Sequence, residues 1–123
     1  MNAEPEKVRF SLKKRDKLVL KQQFDDVRLR GVKYGSPGLA VVIAPFEQLE
    51  CGVICSRKYS LLAVDRNRAR RLLWESFRLL KPQIAACRIV LIPRRKFKEY
   101  SLHQAMRDLS QALKQSGVLS EEK

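Results

Sequence analysis

This 123-residue chain has a single histidine, half as many carboxylates as bases, and no long apolar run. His103 is its only histidine, so a cysteine nucleophile would have a single imidazole to serve as its base. The paired histidines of an HExxH metal helix are excluded, and no glycine-rich phosphate loop is present. Asp16, Asp25, Asp26 and Asp65 are scattered among bases, not gathered as a two-metal nuclease site requires. No apolar run approaches a membrane span, and residues 1–9 lack the apolar centre of a secretory signal. The three cysteines, Cys51, Cys55 and Cys87, are an odd number; without such a signal they argue for reduced thiols in the cytoplasm. A zinc site would need a fourth ligand and closer spacing, so the cysteines are expected in the core and no protein metal site is expected. No catalytic residue emerges, and the chain is not built to cut a phosphodiester alone.

What the chain has in excess is positive charge. Lysine and arginine total 26 against 13 acids, a formal charge of +13, with a pI near 10.2. Such imbalance repels itself in the free protein and suits a polyanionic partner, nucleic acid first and an anionic membrane surface second. Binding of that kind weakens steeply with salt through counterion release. The length fits one domain spanning 1–123, with 1–9 and 118–123 as flexible ends.

Residues 65–78 read D-R-N-R-A-R-R-L-L-W-E-S-F-R, five arginines on one helical stretch. The spacing of Ala69, Leu72, Leu73, Phe77 and Leu80 predicts one buried helix face. Asp65 is placed as N-cap, and Pro82 ends the helix near Lys81. Arg66, Asn67, Arg70, Arg71, Trp74 and Arg78 project from the other face. Glu75 offers Arg71 an i,i+4 partner, but most of the charge is uncompensated, so an external anion is the natural partner. Arginine suits phosphate because its planar fork donates two parallel hydrogen bonds. Trp74 could stack on a base or an arginine, or simply fold over a neighbour.

Around this helix the chain reads as helix, two strands, helix, strand, helix, with room for one further short strand. The first helix covers about 20–30, with Leu20, Phe24 and Val27 as its stripe and Gly31 as its stop. Residues 33–38 read as a turn-rich connection. Strands are predicted at 39–44 and 51–56, joined by a hairpin connection at 46–50, and a buried central strand at 87–92. A basic cluster follows at 94–98. Ser101 and Gln104 form a capping box for the last helix, which Gly117 ends. His103 is expected at the surface. This order predicts an α+β two-layer sandwich.

Arg66-Asn67-Arg68, then Arg70-Arg71, Glu75, Phe77 and Arg78, resemble the signature of the bacterial ribonuclease P protein component, R-N-R-x-K/R-R-x-x-R-E-x-F-R. The resemblance covers roughly residues 10–115 and is strongest at 66–78. It implies the ribosomal protein S5 domain 2-like fold with a left-handed βαβ crossover. It also implies that Arg66, Asn67, Arg68, Arg70, Arg71 and Arg78 bind the catalytic RNA subunit. Phe24, Arg28, Ser56, Arg57 and Arg94 are implied at a cleft for the 5′ leader of precursor tRNA. The sequence departs from the family at Arg28, where a second aromatic is common, and at Trp74, usually basic. It departs again at residues 59–65, where Ser60 replaces glycine, leucine replaces a polar residue and the loop is one residue longer.

The function so implied is that of the protein subunit of an endoribonuclease. It would help remove the leader to give the mature tRNA 5′ end, with Mg2+ acting through the RNA subunit, as a monomer in a one-to-one complex. The alternative is a non-catalytic RNA-binding protein of ribosomal or chaperone type. A DNA-binding regulator ranks below both, because a recognition helix normally follows another helix through a tight turn.

Overall fold

The structure, a computed structural model, describes residues 17–18 and 21–119. The expected flexible start at 1–9 and Leu20 of the first helix lie outside the described residues. The chain forms α1 (Lys21–Arg30), β1 (Val32–Ser36), β2 (Leu39–Pro45), β3 (Glu50–Val53), α2 (Ala63–Leu80), β4 (Cys87–Pro93) and α3 (Leu102–Ser116), with 3-10 turns at Lys81–Gln83 and Arg95–Glu99. The four strands form one mixed sheet in the order β1-β2-β4-β3. β1 and β4 run antiparallel to β2, and β3 runs parallel to β4. The architecture is α+β, as expected.

Three sequence expectations about the strands are corrected. The strand expected at 51–56 is Glu50–Val53 and stops three residues early. Residues 33–36 are not a connection but most of β1, paired from Val32↔Ile43 to Ser36↔Leu39, and only Pro37-Gly38 turns. Lys33 and Gly35 carry little intrinsic strand preference; the ladder to β2 supplies it. Residues 46–50 do not close a hairpin, because β4 lies between β2 and β3. Ile89, Val90 and Leu91 are all buried, and a strand apolar on both faces belongs at the centre of a sheet.

Alternation along the strands gives the sheet two apolar faces. Leu39, Val41, Ile43, Cys51, Ile89 and Leu91 pack on Leu73 and Phe77 of α2 and on Leu109 and Leu113 of α3. On the opposite face Ala44 and Val90 meet Val27 of α1 and Leu18, with Phe24, Val42 and Ile92 partly buried around them. Ten residues of α1 do not cover that face, and this opening positions the site.

The helix ends follow local chemistry. Ser101 accepts from the Gln104 N–H while the Gln104 side chain accepts from the Ser101 N–H, and Gly117 ends α3 at φ 85°. Gly31 ends α1 for another reason: a Cβ there would sit 2.6 Å from Cγ1 of Val42 and still closer to the Val27 carbonyl oxygen. The stop is one of space against the sheet. Pro82 lies in the 3-10 turn after α2. Cys51, Cys55 and Cys87 are free and buried. At the C-terminal end of the described residues, the Ala85 N–H donates to the Val118 carbonyl at 2.8 Å, and Leu119 bridges Ile84.

Candidate nucleic-acid interface

α2 begins two residues before the expected Asp65. Leu62 occupies the N-cap position without a capping side chain. Asp65 instead accepts from the Ser60 hydroxyl at 2.8 Å, because Ser60 lies in the turn just ahead of the helix. The buried stripe is Ala69, Leu73, Phe77 and Leu80, with Ser76; Leu72 is half-buried at its margin.

Three guanidiniums of α2 are held by backbone carbonyls, Arg66 and Arg70 on the basic face and Arg68 to one side of it. Arg66 donates to the Ser60 carbonyl at 2.8 Å, Arg70 to that of Cys55 at 2.9 Å, and Arg68 to those of Tyr100 at 2.8 Å and Lys98 at 3.3 Å. A carbonyl orients a guanidinium without cancelling its charge, and five donors leave N–H groups for an anion. Asn67 accepts from Arg70 at 3.4 Å. Arg71 is exposed and makes no hydrogen bond or ion pair among the described residues. Glu75 pairs with Arg78, not with Arg71 as the spacing suggested. The three-residue separation lets both carboxylate oxygens meet one guanidinium fork, so of the arginines expected at the RNA subunit Arg78 alone is neutralised by an acid among the described residues. Trp74 stands edge-on to Phe77, with 6.2 Å between ring centroids, and Lys17 Nζ lies 5.0 Å over its ring. The cation beside the tryptophan is therefore a lysine.

The uncovered sheet face forms a cleft of about 310 Å³. Its floor is Val42, Val90 and Ile92, its walls are Phe24, Val27 and Ile54, and Arg28 and Lys33 stand at its edge. Gly52 lies under the Phe24 ring, and no side chain other than hydrogen would fit between them. Ile54 and Ile92 also line a second groove of about 260 Å³, which runs on to Ser56, Lys58, Arg94 and Arg95. Together they make an apolar trough with cations at both ends. The Arg94 guanidinium reaches across Gly35, whose missing side chain leaves it room.

Of the five residues expected at the cleft, Phe24 and Arg28 line its first part and Ser56 and Arg94 its second. Arg57 is exposed beside Ser56 and lines neither. Arg28 is paired with Asp25 at 2.7 Å. Lys33 and Ile54 were missed, because only the non-sequential sheet order brings β1 and the residue just after β3 to one trough. Lys58 and Arg95 were within reach, each being the next base along from a residue already chosen.

The acids nearby are occupied. Arg30 and Arg88 hydrogen-bond Asp26 and bring its carboxyl down to about 2. Glu50, itself buried, accepts from Arg88 at 2.8 Å. Among the described residues no three histidine, cysteine or acidic side chains gather to hold a metal ion. Burial raises Cys51 well above the usual thiol range and Cys87 to about 11, which makes both poor nucleophiles. The surface offers ways to hold an anion and to pack an apolar ring. No helix among the described residues is long and apolar enough to cross a membrane.

The family model described as Ribonuclease P matches residues 12–117. The chain belongs to this family. It is 43% identical over 67 residues to the ribonuclease P protein component of Chloroflexus aurantiacus, an alignment covering 53% of this chain and 49% of that protein. The chain thus spans about half the length of that relative. It is 33% identical over 102 residues to the same component of Chloroflexus aggregans, covering 80% of this chain and 75% of the relative. The Staphylococcus aureus RNase P protein structure shares the fold at a TM-score of 0.76 and 23% identity, over 85% of this chain and 98% of that one.

Proposed function

We propose that the chain is the protein subunit of a ribonuclease P ribonucleoprotein. It binds the catalytic RNA subunit through α2 and the 5′ leader of precursor tRNA through the trough. It thereby promotes endonucleolytic removal of the leader in the cytoplasm, as a monomer in a one-to-one complex. The observation that carries this reading is the set of Arg66, Arg68 and Arg70, fixed by carbonyls and still fully charged. Such groups meet phosphates without first breaking an ion pair. In the trough, Phe24, Ile54 and Ile92 present apolar surface to unstacked bases while Arg28, Arg94 and Lys58 meet the phosphates between them.

Mg2+ acts in the RNA subunit on this reading. Asp25, Asp26 and Glu50 are ion-paired to lysine or arginine and suit that pairing better than coordination. The chain's own residues bind, orient and screen charge; the RNA cuts.

The test is RNA-subunit affinity across a salt series for wild type and for Arg70→Ala with Arg71→Ala. Losing two phosphate contacts should weaken binding and flatten the log–log salt slope by about 1.4–1.8. The fold should hold, because Arg71 is exposed and Arg70 only part-buried. An unchanged slope would remove these two residues from the interface.

A further inference from the structure

Beside the arginines of α2 the chain exposes aliphatic surface. Leu61 is 80% exposed, Leu62 61% and Val64 70%. Three such side chains within four residues depart from the isolated apolar residues common on protein surfaces. The loop that carries them is tied down. Ser60 is 7% exposed; its hydroxyl donates to Asp65 at 2.8 Å and accepts from the Leu62 N–H at 3.2 Å. Its carbonyl accepts from Arg66. Val64 already belongs to α2. The apolar side chains are therefore presented on a fixed backbone, with no large ordering entropy left to lose on binding.

The surroundings select the partner. Arg57 and Lys58 precede the patch, and Arg66, Arg70 and Arg71 follow it. The one acid between them, Asp65, is held by Ser60. An apolar knob rimmed by cations fits a polyanion that also offers flat apolar faces, and RNA with unpaired bases is that chemistry. Aliphatic side chains inserted against base steps are an established way for proteins to grip nucleic acid.

We propose that Leu61, Leu62 and Val64 form a wedge that packs on unpaired bases of the RNA subunit while the α2 arginines hold its phosphates. This rests on reading α2 as the RNA-subunit surface. It adds a contact that releases no counterions and so contributes affinity independently of salt.

The experiment measures affinity of the full chain for the RNA subunit over a salt series, comparing wild type with Leu61→Ser plus Leu62→Ser. The expected result is binding weaker by about tenfold or more at every salt concentration, with the salt slope unchanged. Thermal stability should not fall, since both side chains face water. Affinity within twofold of wild type overturns the wedge. The same result, with a wild-type dimer that the double variant abolishes, overturns it in favour of a contact between copies of the chain. Absence of RNA-subunit binding by the wild type would instead defeat the reading of α2 itself.

Discussion

Gly52→Ala probes how the cleft is shaped by the fit between β3 and α1. A Cβ at this position would lie 2.6 Å from Cε1 and 2.7 Å from Cζ of Phe24, and 3.1 Å from Cβ of Leu18. Carbon atoms in good contact sit about 3.5 Å apart, so the ring must retreat by roughly 0.8–0.9 Å. Leu18 is buried and has little room to yield; Phe24 is half-buried beside an open cleft of about 310 Å³. The ring therefore moves into the cleft. Overpacking of this kind costs about 1–3 kcal/mol, and the open side puts this case at the low end, about 1–1.5 kcal/mol. For a chain of this size that is a fall in Tm of roughly 3–7 °C. Urea unfolding measures the cost. The ratio of holoenzyme affinities for leader-bearing and mature tRNA measures the intrusion, and it should shrink. Adding Phe24→Leu removes the clashing ring atoms, so the double variant should be more stable than the two single changes predict together. A Gly52→Ala cost below about 0.5 kcal/mol that is additive with Phe24→Leu would refute the reasoning.

Other expectations follow from single groups. One oxygen of buried Asp108 accepts from both the Tyr100 hydroxyl at 2.6 Å and the Gly38 N–H at 2.8 Å. Asp108→Ala orphans both donors and should cost about 2–4 kcal/mol, whereas Asp108→Asn keeps that oxygen and should cost about 1 kcal/mol; equal losses in urea unfolding would contradict this. Asp26 titrates near 2 in the folded chain against 3.8 unfolded. Its contribution is complete above about pH 4 and is lost as pH falls through about 2; Asp26→Asn should flatten the acid limb of stability in that window. Cys51, Cys55 and Cys87 are buried with raised thiol pKa values, so a thiol reagent should label them on unfolding and scarcely at all before it.

The parts legible in the sequence were those whose signal is local. α2 is read from its own residues because burial and charge follow the same helical period, from Ala69 to Leu80 on one side and from Arg66 to Arg78 on the other. The Ser101 capping box and the Gly117 stop are local in the same way. β1 escaped because Lys33 and Gly35 become strand only through pairing with β2. The missing hairpin at 46–50 had the same origin: two neighbouring strands in sequence are parted by β4, whose insertion depends on its burial on both faces. Side-chain partners were the least legible. Asp65 resembles an N-cap and Glu75 resembles a partner for Arg71, but rotamers and turn geometry give them to Ser60 and Arg78. The trough was half legible. Phe24, Arg28, Ser56 and Arg94 came from the resemblance, while Lys33 and Ile54 come from the order of the sheet.

The most direct test of the central claim is cleavage of a precursor tRNA at low magnesium by the cognate RNA subunit, with and without this chain, and by this chain alone. Efficient leader removal is expected only when RNA and protein are both present. Cleavage by the chain alone would contradict the assignment of catalysis to the RNA. Tight RNA binding without any stimulation of cleavage would leave a general RNA-binding protein in place of a ribonuclease P subunit.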